Sequence, residues 1–100
     1  MIELFFWEGC PSHPEALELL RTVMGELGRD DEIVVREVMS HEDAEALEFP
    51  GSPTIRIDGV DIDAEGASRA RPALTCRIYR LPDGRISPVP SREQLEEALR

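Results

Sequence analysis

The chain has 100 residues, 41% of them hydrophobic and 32% charged, with a formal net charge of −10. That length suits a single domain spanning residues 1–100, and that apolar content excludes a disordered chain. The excess of carboxylates repels phosphate backbones and anionic lipid, so neither nucleic acid nor a membrane surface is an expected partner.

No apolar run approaches the ~20 residues of a membrane span. The first residues lack the basic start and cleavage pattern of a signal peptide, so the expected location is the cytoplasm. Nothing in the composition fixes an oligomeric state. Two cysteines, Cys10 and Cys76, are too few for a disulfide framework, and each has to be judged by its own surroundings.

"IELFFW" (residues 2–7) is nearly continuous apolar sequence and predicts a central strand buried on both faces. From Glu15 to Leu27 the residues Leu17, Leu20, Met24 and Leu27 recur at spacings of three and four, which predicts a helix packed along one face, stopped by Gly28. "EIVVREV" (32–38) is β-branched and short, and predicts the second strand. Ser40 to Asp43 reads S-x-x-D and predicts a short helix with an acidic first turn, where the helix dipole favours carboxylates.

After "PGSP", the alternation of Ile55 and Ile57 with Arg56 and Asp58 predicts a third strand. Residues 60–73 show no clear period and are expected to be a loop or partly helical insertion. "TCRIYRL" (75–81) alternates again and ends in a Pro-Asp-Gly turn, predicting a fourth strand with "RIS" as its hairpin partner. Ser91 to Gln94 reads S-x-x-Q ahead of Leu95, Ala98 and Leu99, predicting a C-terminal helix. The expected architecture is α/β, in the order βαβαββα. It has a mixed four-stranded sheet with helices on both faces, the first two strands parallel and the later ones antiparallel to them.

At this point the chain resembles the thioredoxin and glutaredoxin superfamily. "FFWEGCPSH" resembles that family's strand followed by C-x-x-C, closest to its C-P-x-C form, with His13 in place of the second cysteine. "EFPGSPTIRIDG" is similar to the family segment that ends in a cis-proline and Thr before the third strand, which makes Pro53 the cis residue. The chain is also similar to small thioredoxin-like proteins with one motif cysteine that carry an alkylmercury-lyase label. The resemblance implies a thioredoxin-like fold and a redox role for Cys10 and His13. It also implies a substrate-docking edge at Ser52, Pro53 and Thr54, with Trp7 beside the motif, no cofactor, and a thiol or disulfide partner of protein or small-molecule kind. No lysine precedes the motif and "DGVDIDAEGA" departs from the glutaredoxin pattern, so glutathione binding is not implied.

Read as chemistry, a cysteine at a helix N-terminus sees unpaired N–H groups and the positive end of the macrodipole, both favouring thiolate. Two helix starts compete: a capping box at Ser12–Glu15, or Cys10 as cap with Pro14 in the position of the first intrahelical bond. The first costs no hydrogen bond and is preferred. His13 either stabilises or protonates the Cys10 sulfur or is a solvated first-turn residue; the sequence leaves both open. The Gly9-Cys10-Pro11 context fits an exposed strand-to-helix junction. Cys76, early in a fourth strand ending near Cys10, is displaced from it by roughly 13 Å. That exceeds disulfide range, so Cys76 is expected to be a buried structural thiol on the face of Ile78.

The expectation is therefore a monothiol thiol-disulfide oxidoreductase whose Cys10 is released by an external thiol. The alternatives are soft-metal binding through Cys10 and His13, which lacks the four ligands of a structural zinc site, and a non-catalytic module that holds a partner at the proline edge.

Overall fold

A computed structural model describes residues 1–100. Its elements run β1 (Ile2–Phe6), α1 (His13–Glu26), β2 (Ile33–Glu37), α2 (His41–Ala46), β3 (Thr54–Ile57), β4 (Val60–Asp61), α3 (Ala64–Arg69), β5 (Tyr79–Arg80), β6 (Ile86–Ser87) and α4 (Arg92–Leu99). The mixed sheet has the order β2-β1-β3-β4, with β1 parallel to β2 and antiparallel to β3.

The apolar run of β1 is explained by its place between two neighbours. Ile2 and Leu4 pack with Ala16, Leu20, Val23 and Met24 of α1, Ile55 of β3, and Leu95 and Leu99 of α4. On the opposite face Phe5 joins Val38, Ala44 and Phe49 beneath α2. Period-two alternation thus feeds two cores, and helices cover both faces of the sheet.

Helix ends follow the sequence signals unevenly. Ser40 Oγ accepts from the Asp43 amide at 3.1 Å, and Ser91 Oγ from the Gln94 amide at 3.1 Å, as their motifs predict. After α1, Gly28 takes φ +70°, its amide reaches Gly25 and the Arg29 amide reaches Met24. This pair of bonds is the Schellman arrangement that a glycine stop allows. Ser12 flanks the start of α1 as expected but is already helical (φ −86°, ψ −10°), and its side chain caps nothing.

One expectation about the sheet needs correcting. The fourth strand of the sheet is the two-residue β4, returning from β3 through Asp58 and Gly59, and not the segment 75–81. The insertion 60–73 is partly helical, one of its two expected forms, with β4 followed by α3, whose cap Asp63 accepts from the Gly66 amide. The 75–81 segment contributes only Tyr79–Arg80, paired with Ile86–Ser87 in a separate hairpin. The hairpin partner is the predicted one; its place in the fold is different.

Arg29 ties the turn after α1 to the end of α4. It donates to the Leu99 carbonyl at 2.7 Å and pairs with Asp31 at 2.8 and 3.0 Å. The hydrogen bonds from Arg29 hold the Asp31 carboxyl below its ordinary value of 3.8, against the opposing pull of desolvation. A lowered carboxylate stabilises the folded state above its unfolded pKa and loses that contribution as pH falls through the folded value. The urea midpoints of the parent and Asp31→Asn should therefore differ by a constant amount at neutral pH and converge towards pH 2. A gap that persists undiminished in acid would refute the assignment.

Candidate functional site

Cys10 lies between β1 and α1, its amide bonded to the Trp7 carbonyl at 3.1 Å. At the mouth of α1 the amides of His13 and Glu15 have no acceptor within the protein, and Pro11 and Pro14 contribute none. These free N–H groups favour negative charge nearby. The Cys10 sulfur also sits 3.5 Å from the Ser52 carbonyl oxygen, which can accept from the reduced thiol and so favours the protonated form.

The sulfur of Cys10 is bonded to that of Cys76, with the two Cα atoms 5.5 Å apart across 66 residues of sequence. This overturns the expectation of a distant, buried structural thiol. The physical reason is the altered topology. With β4 supplied by Val60–Asp61, residues 73–77 are free to run across the Ser52–Pro53 turn, and Cys76 forms an isolated parallel bridge with Ser52. Cys76 and Ile78 are exposed, whereas Cys10 is 1% exposed, so the solvent-open junction expected at Cys10 is closed over.

The expected docking edge is where this crossing segment binds. The Ser52 amide donates to the Thr75 carbonyl at 2.8 Å, and the Arg77 amide donates to the Ser52 carbonyl at 2.9 Å. Pro53, in a cis peptide with Ser52, accepts at its carbonyl from the Tyr79 hydroxyl at 2.5 Å. Thr54 donates to the Gly51 carbonyl at 2.6 Å and accepts from Arg77 at 3.1 Å. Positions expected to hold a substrate are occupied by the chain's own residues 75–79. Gly51 lets the segment come close: its φ is +133°, and a Cβ there would sit 3.0 Å from the Arg77 backbone and the Cys76 carbonyl oxygen.

Arg77 anchors the segment. It is 4% exposed and forms a two-pronged ion pair with Asp61, both bonds 2.7 Å, while also donating to the Asp63 carbonyl at 3.1 Å. Its guanidinium lies 4.6 Å from the Tyr79 ring centroid. Burial works against the Arg77 charge, but the hydrogen bonds to Asp61 and the surrounding negative groups outweigh it and leave the pKa raised. Burial pushes the Tyr79 hydroxyl up as well.

His13 stacks on Phe6 with ring centroids 4.0 Å apart and an interplanar angle of 18°. Its Nδ1 is buried without a partner, and no hydrogen bond joins it to Cys10. Trp7 is half-buried, packs beside the α2 core and covers Gly9, where a Cβ would collide with the indole. No group of three or more His, Cys, Asp or Glu is placed to hold a metal ion, so the soft-metal reading gains no third ligand. No helix is long and apolar enough to cross a membrane.

The sequence motifs do not mark Arg77, Tyr79 or Asp61 as site residues. The alternation of 75–81 contains the signal, but in the opposite phase: Arg77 and Tyr79 point inward, and Cys76 and Ile78 outward.

No protein-family model, curated protein or solved structure matches the chain.

Proposed function

We propose that the protein is a thioredoxin-like thiol-disulfide oxidoreductase that cycles between a Cys10–Cys76 disulfide and the corresponding dithiol. The observation that carries this reading is the pairing of the two cysteines at the mouth of α1, against the Ser52–Pro53 turn. A disulfide spanning this junction joins a sulfur at the N-terminal end of α1, where backbone amides are free, to one at the surface, and a helix N-terminus is a setting that favours a reactive thiolate. The scheme replaces an externally resolved monothiol by an internal couple, because Cys76 lies within bonding range of Cys10 and Arg77 keeps it there.

In the reducing direction two electrons enter the disulfide from two external thiols, which leave as their own disulfide. In the oxidising direction the couple returns them to a substrate disulfide. Thioredoxin-like character rests on the C-P-S-H and S-P-T segments and on their meeting at one place.

The test is an iodoacetamide series against pH on the reduced full-length chain, resolved by peptide. Cys10 should label with a midpoint below the ~8.5 of a free thiol, and Cys10→Ser should abolish catalysis of disulfide exchange. A midpoint at or above the free value, together with exchange rates unchanged in Cys10→Ser, would remove the proposal and leave a structural cross-link.

A further inference from the structure

The two sulfurs of the disulfide are not equally open. Cys10 is 1% exposed, covered by the crossing segment and the Ser52 carbonyl, whereas Cys76 is an exposed residue. Beside Cys76 runs a groove of about 260 Å³, whose lining includes Thr75, Arg71 and Ile78 and no acidic side chain. In a chain with 21 carboxylates, an arriving thiolate meets no like charge in the lining of this approach.

Thiol-disulfide exchange proceeds by attack along the S–S axis from behind the sulfur being attacked, so access to the far side decides which sulfur reacts. Cys10 is enclosed by the protein, whereas Cys76 is exposed and lines the groove. The leaving sulfur matters too, because exchange is faster when it is the better thiolate: Cys10 lies just before α1, whose first-turn amides of His13 and Glu15 have no acceptor, while the Ser52 carbonyl beside its sulfur pulls towards the thiol.

We infer that Cys76, and not the motif cysteine Cys10, is the sulfur that bonds covalently to the external partner, with Cys10 as the internal resolving thiolate. This rests on the redox reading above and assigns the roles within it. An external thiolate forms a bond to the Cys76 sulfur as the Cys10–Cys76 bond breaks, and Cys10 leaves as thiolate. A second external thiolate then displaces Cys76 and releases the partner as its disulfide. In reverse, Cys10 thiolate attacks the Cys76 sulfur of the mixed disulfide and expels the partner as a thiol. The partner class is any thiol small or extended enough to enter the groove.

The experiment uses the oxidised full-length chain, a brief exposure to 2-mercaptoethanesulfonate, acid quenching and alkylation of free thiols with iodoacetamide. Cleavage at arginine places Cys10 in residues 1–21 and Cys76 in residues 70–77, so mass spectrometry reads each sulfur separately. The expected result is a mixed disulfide on 70–77 and alkylation on 1–21, in at least tenfold excess over the converse. Equal distribution, or an adduct chiefly on 1–21, overturns this inference while leaving the redox couple intact. Failure of either sulfur to form an adduct, when the urea-unfolded chain forms one readily, overturns the redox reading and this inference with it. A second measurement uses single-cysteine variants, each folded as judged by circular dichroism. Cys10→Ser should form a stable mixed disulfide at Cys76 with a small aromatic disulfide, and Cys76→Ser should release any adduct placed on Cys10 no faster than a model thiol does.

Discussion

Replacing Asp61 with Ala should lower the stability of the folded chain by about 3–5 kcal/mol, the usual cost of stripping the partner from a buried charge. The carboxylate is 8% exposed and meets both prongs of Arg77, itself 4% exposed, so its removal leaves a guanidinium among groups that cannot hydrate it. The remaining bonds from Arg77 go to Thr54 Oγ1 and the Asp63 carbonyl, neither of which carries charge. The urea midpoint of the oxidised protein measures the loss. The pair Asp61→Leu with Arg77→Met removes both charges and should recover most of it, because a buried ion pair contributes little beyond an apolar pair of similar size. A single variant within 1 kcal/mol of the parent would show that water reaches the guanidinium and that the segment is held some other way.

Reduction of the disulfide should cost about 2–4 kcal/mol and lower the melting temperature by on the order of 10–20 °C. The cross-link closes a ring across 66 residues of sequence, and the loss of loop entropy in the unfolded chain grows with ring size. Oxidised and reduced protein compared in urea give the value directly, and Cys76→Ser should melt with the reduced form. Coincident transitions would mean that the unfolded chain gains no freedom on reduction. A thermodynamic cycle extends the expectation: a bond that stabilises folding by that amount is harder to reduce in the folded state by roughly 40–90 mV.

Much of the scaffold is legible because it depends on local pattern. The central place of β1 follows from its unbroken apolar run, and two of the serine caps follow from their spacing to an acidic or amide residue. The third, Ser12, fails because its backbone is already helical, leaving its hydroxyl out of reach of the amide it would cap. β4 has two residues, too few for any period to register. Because β4 takes the place beside β3, the segment 75–81 lies elsewhere and Cys76 comes within bonding range of Cys10.

The segment 75–81 keeps the alternation its sequence predicts, but in the opposite phase. Composition alone puts Cys76 and Ile78 inside and Arg77 outside, since a lone arginine is rarely buried. The decisive partner is Asp61, 16 residues earlier, and nothing local to Arg77 announces it. A slip of one residue turns every side chain of a strand over, and here it exchanged a hidden thiol for an exposed one. The juxtaposition of Cys10 with the Ser52–Pro53 turn was expected from the resemblance. That the turn would be filled by the chain itself depends on contacts far apart in sequence.

At Gly51 the turn and the crossing segment come within a methyl group's width of each other. Two sulfurs bond only when their backbones lie inside a narrow window of separation, so a wedge at this point would pry the strap from its seat and carry one sulfur away from the other. The spacing on which the covalent link depends is thus written partly at a position with no side chain, where a search for reactive groups would find nothing to notice.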